Sequence, residues 1–189
     1  FLAAVTLTSS LALLPAQTLN IDCGAYENYT AADGTPWLSD RYFTGGQQLY
    51  TSYPVTGTAD SALFRTARVG YYGGFNYAIP VANGQYKVTL RFAEVGYWVA
   101  GQRIFNVSID GSPVLTNFDV IAQGGYYKVI DRQFPVAVTG GTIRIDVQGV
   151  VNQGLLSAIQ IAPSGEADTP PPSAPVPSLS ASPTSLSFS

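Results

Sequence analysis

An all-β fold, either a sandwich or a barrel, is predicted by three observations. Apolar and polar residues alternate at a period of two over several runs. Asn-Gly, Asp-Gly and Gly-Gly turn signals separate those runs. No helical period extends past two turns. Composition agrees: the 189 residues hold 19 Gly, 13 Pro, 12 Tyr and 9 Phe, which suits a loop-rich β domain with an aromatic surface.

Gln85 to Ala93 is the clearest run, with Tyr86, Val88, Leu90 and Phe92 alternating with Lys87, Thr89, Arg91 and Ala93 behind the turn Asn83-Gly84. Arg103 to Asp110 repeats it with Phe105, Val107 and Ile109, and ends at Asp110-Gly111. Thr142 to Gln148 does so again, with Ile143, Ile145 and Val147 after Gly140-Gly141. Phe75 to Val81, Val114 to Val120, Tyr127 to Val138 and Leu156 to Ile161 are further strands broken by Gly or Pro.

Charge and residue counts exclude several functions. Charged residues make up only 11%, and 9 Lys+Arg stand against 12 Asp+Glu, so there is no basic stripe for nucleic acid. With 0 His, the commonest metal ligand and neutral-pH base is missing, and Ser/His/Asp catalysis in its usual form with it. The single Cys, Cys23, excludes a disulfide framework and a cysteine zinc site, and reads as a small buried residue beside Gly24. No D-x-D-x-D loop or acidic run offers calcium a cluster of side-chain oxygens. No cofactor is implied.

The two ends read as separate from the domain. Phe1 to Ala16 is apolar, uncharged and too short for a membrane span, and is read as the remnant of a secretory signal lacking its basic start and Met. A buried first strand is the alternative. The domain is expected over 17–163, followed by a Pro/Ser-rich linker over 164–178 that Pro170-Pro171-Pro172 should hold extended. The run from Leu179 to Ser189 resembles the first strand of an immunoglobulin-like module, so a further β module is expected. A secreted or cell-surface protein follows from these expectations.

Four adjacent aromatic pairs, Tyr42-Phe43, Tyr71-Tyr72, Tyr97-Trp98 and Tyr126-Tyr127, lie near glycines and mostly outside the alternating runs. On a strand one member of a pair points inward, whereas on a glycine-flanked loop both can face the same way. Tyr and Trp combine a flat apolar face, suited to the C–H face of a pyranose, with a polar handle for its hydroxyls. Any single pair is as readily explained as core and turn filling; all four together point to a sugar-stacking surface.

The series Leu90-Arg91-Phe92-Ala93-Glu94-Val95, Gly101-Gln102-Arg103-Ile104-Phe105-Asn106-Val107 and Asn117-Phe118-Asp119-Val120 resembles the malectin domain. Ile21-Asp22-Cys23-Gly24, Asn28-Tyr29-Thr30, Asp33-Gly34, Trp37 and Asp40 are similar to the malectin-like ectodomains of plant receptor kinases, and Leu156 to Ile161 matches the closing strand. The resemblance implies a jelly-roll-like sandwich of two antiparallel sheets, galactose-binding-like, without catalytic machinery. It implies binding of glucose-containing oligosaccharide ends through loop aromatics and one acidic residue. Carried over, those positions fall on Tyr42 or Phe43, on Tyr71 or Tyr72, and on Tyr97 and Trp98. A gapless count puts Gly96 on the first of that last pair. The acid falls on Asn152, which keeps an acceptor and adds donors but loses charge-assisted strength. The family assigns Tyr126-Tyr127 no role. The sugar reading requires these residues to converge at one rim.

Other constellations compete. A glycosidase needs two carboxylates across one cleft, and Glu94 and Asp119 are the candidates; a structural hydrogen-bonding role for Glu94 is the stronger reading. A structural or adhesive module without sugar binding is the other alternative. Asn28-Tyr29-Thr30 and Asn106-Val107-Ser108 fit the N-glycosylation pattern, the second inside a predicted strand. Arg65 and Arg68 either line the cleft or pair with Asp60.

Overall fold

The computed structural model describes residues 17–70 and 74–164. Phe1 to Ala16, the linker beyond Ser164 and the run from Leu179 lie outside the described residues, as do Tyr71 and Tyr72. Antiparallel strands dominate. One four-stranded sheet runs in the order β1 (Leu19–Asp22), β14 (Ala158–Pro163), β8 (Gly84–Ala93) and β11 (Val129–Val138). A five-stranded sheet runs β10 (Ser112–Phe118), β9 (Ile104–Ile109), β12 (Thr142–Val151), β7 (Phe75–Pro80) and β4 (Phe43–Gly45).

The alternating runs read from the sequence form the inner faces of these sheets. Val88, Leu90 and Phe92 of β8, Phe105 and Val107 of β9, and Ile143, Ile145 and Val147 of β12 are buried in one cluster. Each such side chain contributes roughly 1.5–3 kcal/mol on burial. Phe92, Phe105 and Phe118 meet as an aromatic triad with ring centroids 5.1–5.8 Å apart. These are the phenylalanines of the three motifs behind the family resemblance, so that series marks a core contact between the sheets. The result is an all-β sandwich, as predicted.

Four predicted strands differ from the observed limits by more than one residue; Thr142 to Gln148 continues to Val151 as β12. Val114 to Val120 stops at Phe118, because the Asp119 carboxylate accepts from Ala122 N at 3.0 Å and caps the short helix α1 (Val120–Gly124). Tyr127 to Val138 begins only at Val129, since Tyr127 sits at φ 52, outside extended backbone. Leu156 to Ile161 is split at the buried Ser157. Its N donates to Arg91 O, its O accepts from Cys23 N, and its Oγ accepts from Ala93 N. The chain there passes from β13 (Gly154–Leu156) into β14, and β13 belongs to a third sheet with β6 (Thr66–Gly70) and β5 (Gln47–Tyr50).

The segment between Gly24 and Phe64 was sparse in strand signals but builds a second core. The hairpin β2 (Tyr29–Thr30) and β3 (Pro36–Trp37), with a 3-10 turn at Ser61–Phe64, brings Trp37, Val55, Leu63 and Phe64 against Ala93 and Ala158. These apolar residues are too far apart in the chain to show a period. Beside them Gly24, at φ +83, lies so close to β6 that a Cβ would stand 2.5 Å from Ala67 O. Gly24→Ala is therefore expected to cost at least about 2 kcal/mol, combining left-handed strain with a backbone clash. Urea unfolding checks this, and a loss under about 0.5 kcal/mol would contradict it.

Candidate functional site

The loop after β8 is organised by one carboxylate. Glu94 Oε1 accepts from Gly96 N at 2.8 Å and Tyr97 N at 3.0 Å, while Oε2 accepts from Arg103 Nε at 2.6 Å. Both side chains of this ion pair are buried, at 1% and 4% exposure. Arg103 also donates to Gln153 Oε1 at 3.1 Å and lies 4.7 Å from the centre of the Tyr97 ring. The far side of the loop is held by Gln102, whose Oε1 accepts from Trp98 N and Val99 N, both at 3.1 Å. A short loop with this many anchors presents Trp98 outward, 67% exposed, at little further entropic cost.

Asn152 belongs to the same neighbourhood. It stands in the turn between β12 and β13 at φ 59, and its Nδ2 donates to Gln102 O at 2.6 Å. Its neighbour Gln153 is buried, with Oε1 at 3.5 Å from the Tyr97 hydroxyl. Gly70 pairs with Gly154, two residues beyond Asn152, across β6 and β13.

A second neighbourhood surrounds Asp40. Its Oδ2 accepts from Gly24 N at 2.5 Å and forms an ion pair with Arg68 at 2.6 Å, and its Oδ1 accepts from Tyr77 Oη at 2.8 Å. The Arg68 guanidinium in turn lies 3.3 Å over the Phe43 ring. Asp40, Arg68 and Phe43, together with Tyr26, Gln47 and Gln48, line a cleft of about 340 Å³, with Tyr77 buried beneath it. Arg68 thus lines a cleft but pairs with Asp40, not Asp60. Asp60 instead accepts from Ala32 N at 2.6 Å and Tyr29 Oη at 3.1 Å. Tyr42 stands beside this cleft, exposed and at φ 63, a left-handed conformation unusual for a bulky side chain.

A third feature was not anticipated as a unit. Tyr53, Pro54, Trp98, Tyr126 and Tyr127 line a cleft of about 430 Å³. The sequence shows Tyr126 and Tyr127 as a pair, whereas Tyr53-Pro54 carries no signal because an isolated tyrosine in a loop has no period.

The predicted residues therefore fall into two groups. Tyr97, Trp98 and Asn152 are tied together through Gln102 and Gln153, while Tyr42 and Phe43 flank the Asp40–Arg68 cleft. The hydrolase candidates are both engaged structurally: Glu94 as above, and Asp119 through Ala122 N and through Gly101 N, which donates to its Oδ2 at 2.5 Å. Cys23 is fully buried, and burial pushes its thiol pKa well up. Asn106, the second glycosylation-pattern asparagine, lies in β9, and its Oδ1 accepts from Asn117 N. Among the described residues, no group of three or more His, Cys, Asp or Glu gathers for a metal ion. No helix among them is long and apolar enough to cross a membrane.

Comparison with known proteins agrees with this architecture. Among curated proteins, the chain is 30% identical over 94 residues to Malectin-B of Xenopus laevis, covering 49% of this chain and 33% of that protein. Human Malectin gives 30% over 94 residues, with 49% and 31% covered. The chain thus spans about a third of the length of the curated malectins it matches. Among solved structures, a Bacteroides uniformis beta-glucuronidase superposes with a TM-score of 0.68 at 20% identity, over 77% of this chain and 18% of that one. The ANX1 ectodomain of Arabidopsis thaliana gives 0.66 at 17%, over 77% and 47%. At such identities these structures show the fold alone. The likeness to malectins supports a carbohydrate-binding module. The Malectin domain family matches residues 17–170, about four-fifths of the chain, and the chain belongs to that family.

Proposed function

We propose that this domain is a non-catalytic carbohydrate-binding module that grips a neutral, glucose-containing oligosaccharide with loop aromatics and polar side chains. The observation that carries the reading is the Glu94- and Gln102-anchored loop, which presents exposed Trp98 beside Tyr97 and is bonded to Asn152. A rigid aromatic platform with an adjacent amide offers stacking for a pyranose face and hydrogen bonds for individual hydroxyls. Tyr42 and Phe43, which flank the Asp40–Arg68 cleft and not the Trp98 loop, and Tyr71 and Tyr72 complete the proposed set, so their convergence at one rim is part of the proposal. Phe43 contributes its edge and outer face, because Arg68 covers the other. The engagement of Glu94 and Asp119 in backbone and ion-pair contacts favours binding over hydrolysis. We place the domain in an extracellular protein, secreted or on the cell surface, in which a linker leads to a further β module.

The test is a titration of the full chain with glucose-containing disaccharides and glucans. Trp37 is buried in the second core and Trp98 exposed, so a saturable fluorescence change reports on Trp98 and is lost in Trp98→Phe. By calorimetry, Asn152→Ala is expected to weaken binding by about tenfold, the value of one hydrogen bond of ~1.4 kcal/mol. Flat titrations by both methods across the panel would refute the reading.

A further inference from the structure

We infer that the Tyr53–Pro54–Trp98–Tyr126–Tyr127 cleft is a second sugar subsite, so that the domain recognises a glycan of at least three residues. The inference rests on the carbohydrate reading above and extends it to residues without an assigned role.

The cleft is built from three separate segments: the loop after β5, the Trp98 loop and the turn before β11. Its volume of about 430 Å³ lies within the range of small-molecule pockets, roughly 300–1,000 Å³. Trp98 and Tyr126 meet at 4.6 Å with planes tilted by 41°, Tyr126 and Tyr127 at 4.2 Å edge to face, and Tyr53 and Tyr127 at 6.1 Å. Tyr53 and Trp98 nevertheless remain 65% and 67% exposed. Rings serving only as core filling would be covered. These stand as walls around an open space.

The cleft is also held in place. Tyr127 keeps a left-handed backbone at φ 52, which costs free energy in a bulky residue and persists only where its surroundings dictate it. Here five hydrogen bonds do so: its N donates to Glu94 O, its O accepts from Thr56 N and Oγ1, and its hydroxyl meets Thr51 Oγ1 at 2.6 Å and Val95 O at 3.3 Å. Glu94 thereby serves both sites, its carboxylate shaping the Gly96–Tyr97 backbone and its carbonyl fixing Tyr127. Trp98 is shared between them.

Chemistry selects the occupant. The lining is ring faces, a proline and phenolic hydroxyls, with no charged side chain among the described residues. A charged ligand finds no partner among these residues, whereas a neutral pyranose finds stacking faces. Continuity through Trp98 makes the next residue of the same glycan the natural occupant.

Calorimetry of the full chain against a di-, tri- and tetrasaccharide glucan series tests this, using wild type, Tyr53→Ser and Tyr126→Ser, each checked for an unchanged melting temperature. Tyr53 is exposed, so its variant remains informative if Tyr126→Ser is unstable. The expected result is about a tenfold gain in affinity from di- to tetrasaccharide in wild type, the scale of one aromatic contact. Both variants should lose that gain while keeping the disaccharide affinity within about twofold. Affinity independent of length, or a gain that survives in both variants, overturns the second subsite while leaving the primary reading intact. Absence of any glycan binding by wild type overturns both. Competition for Tyr126 by a proline-rich peptide, with length-independent glycan affinity, would reassign the cleft to polyproline recognition.

Discussion

Arg103→Ala is expected to destabilise the domain by about 3–5 kcal/mol, the cost of leaving one partner of a buried ion pair uncompensated. The Glu94 carboxylate would keep its bonds from Gly96 N and Tyr97 N but lose the only cation it contacts among the described residues. Gln153 Oε1 would lose its bond from Arg103, and Tyr97 the guanidinium against its ring. Arg103→Lys should fall between wild type and alanine, because a compact ammonium cannot reach both Glu94 and Gln153 as the planar fork does. The double variant Glu94→Leu/Arg103→Met should recover stability without restoring sugar binding, since an apolar pair fills the volume but cannot anchor the Gly96–Tyr97 backbone. Urea unfolding gives the stabilities, and a loss below about 1 kcal/mol for Arg103→Ala would show that the pair is dispensable.

Asp22→Asn is expected to stabilise the domain at pH 8 and to flatten its pH dependence. Asp22 is buried and receives a bond from Thr66 Oγ1 at 2.8 Å, and no cation pairs with it among the described residues. Burial, reinforced by the negative charge of Asp40, pushes its pKa from 3.8 up to about 7 despite the Thr66 bond. Between those values the folded chain holds a proton that the unfolded chain has released. The stability contributed by this group is therefore fully present below pH 3.8 and is lost as pH rises through about 7. The full span is worth about 4 kcal/mol at 1.36 kcal/mol per pH unit. Asparagine accepts the same hydroxyl without a charge to bury. Denaturation midpoints from pH 4 to 8 in both proteins measure the difference, and parallel curves would refute the assignment.

Much of the fold was legible because it rests on local alternation. β8 and β9 are legible in the sequence to within a residue of their observed limits, and β12 in its first seven residues, since a half-buried strand writes its inward face into every second residue. The errors fall where a side chain or backbone group overrides that pattern, as at Asp119, which caps a helix, and at Ser157, which carries the chain from one sheet to another. The second core was hidden because Trp37, Val55 and Phe64 meet across long chain separations.

The site was legible in part for the same reason. Residue type alone singled out the Tyr97-Trp98 pair, and the family resemblance added Asn152; neither could show that Gln102 joins them or that Arg68 covers one face of Phe43. The amino-acid sequence by itself determined an all-β fold, the lack of histidine, a single cysteine that rules out a disulfide framework, a resemblance to the malectin domain and an unusual supply of paired aromatics. Periodicity, counts and motif order are properties of a linear chain. Only the tertiary structure decided that Glu94 is an anchor, that Asp22 is buried without a paired cation among the described residues, and that Tyr53 joins Trp98 and Tyr126 around one cleft. Those outcomes depend on burial and on contacts between distant segments, which arise only when the sheets and loops have packed.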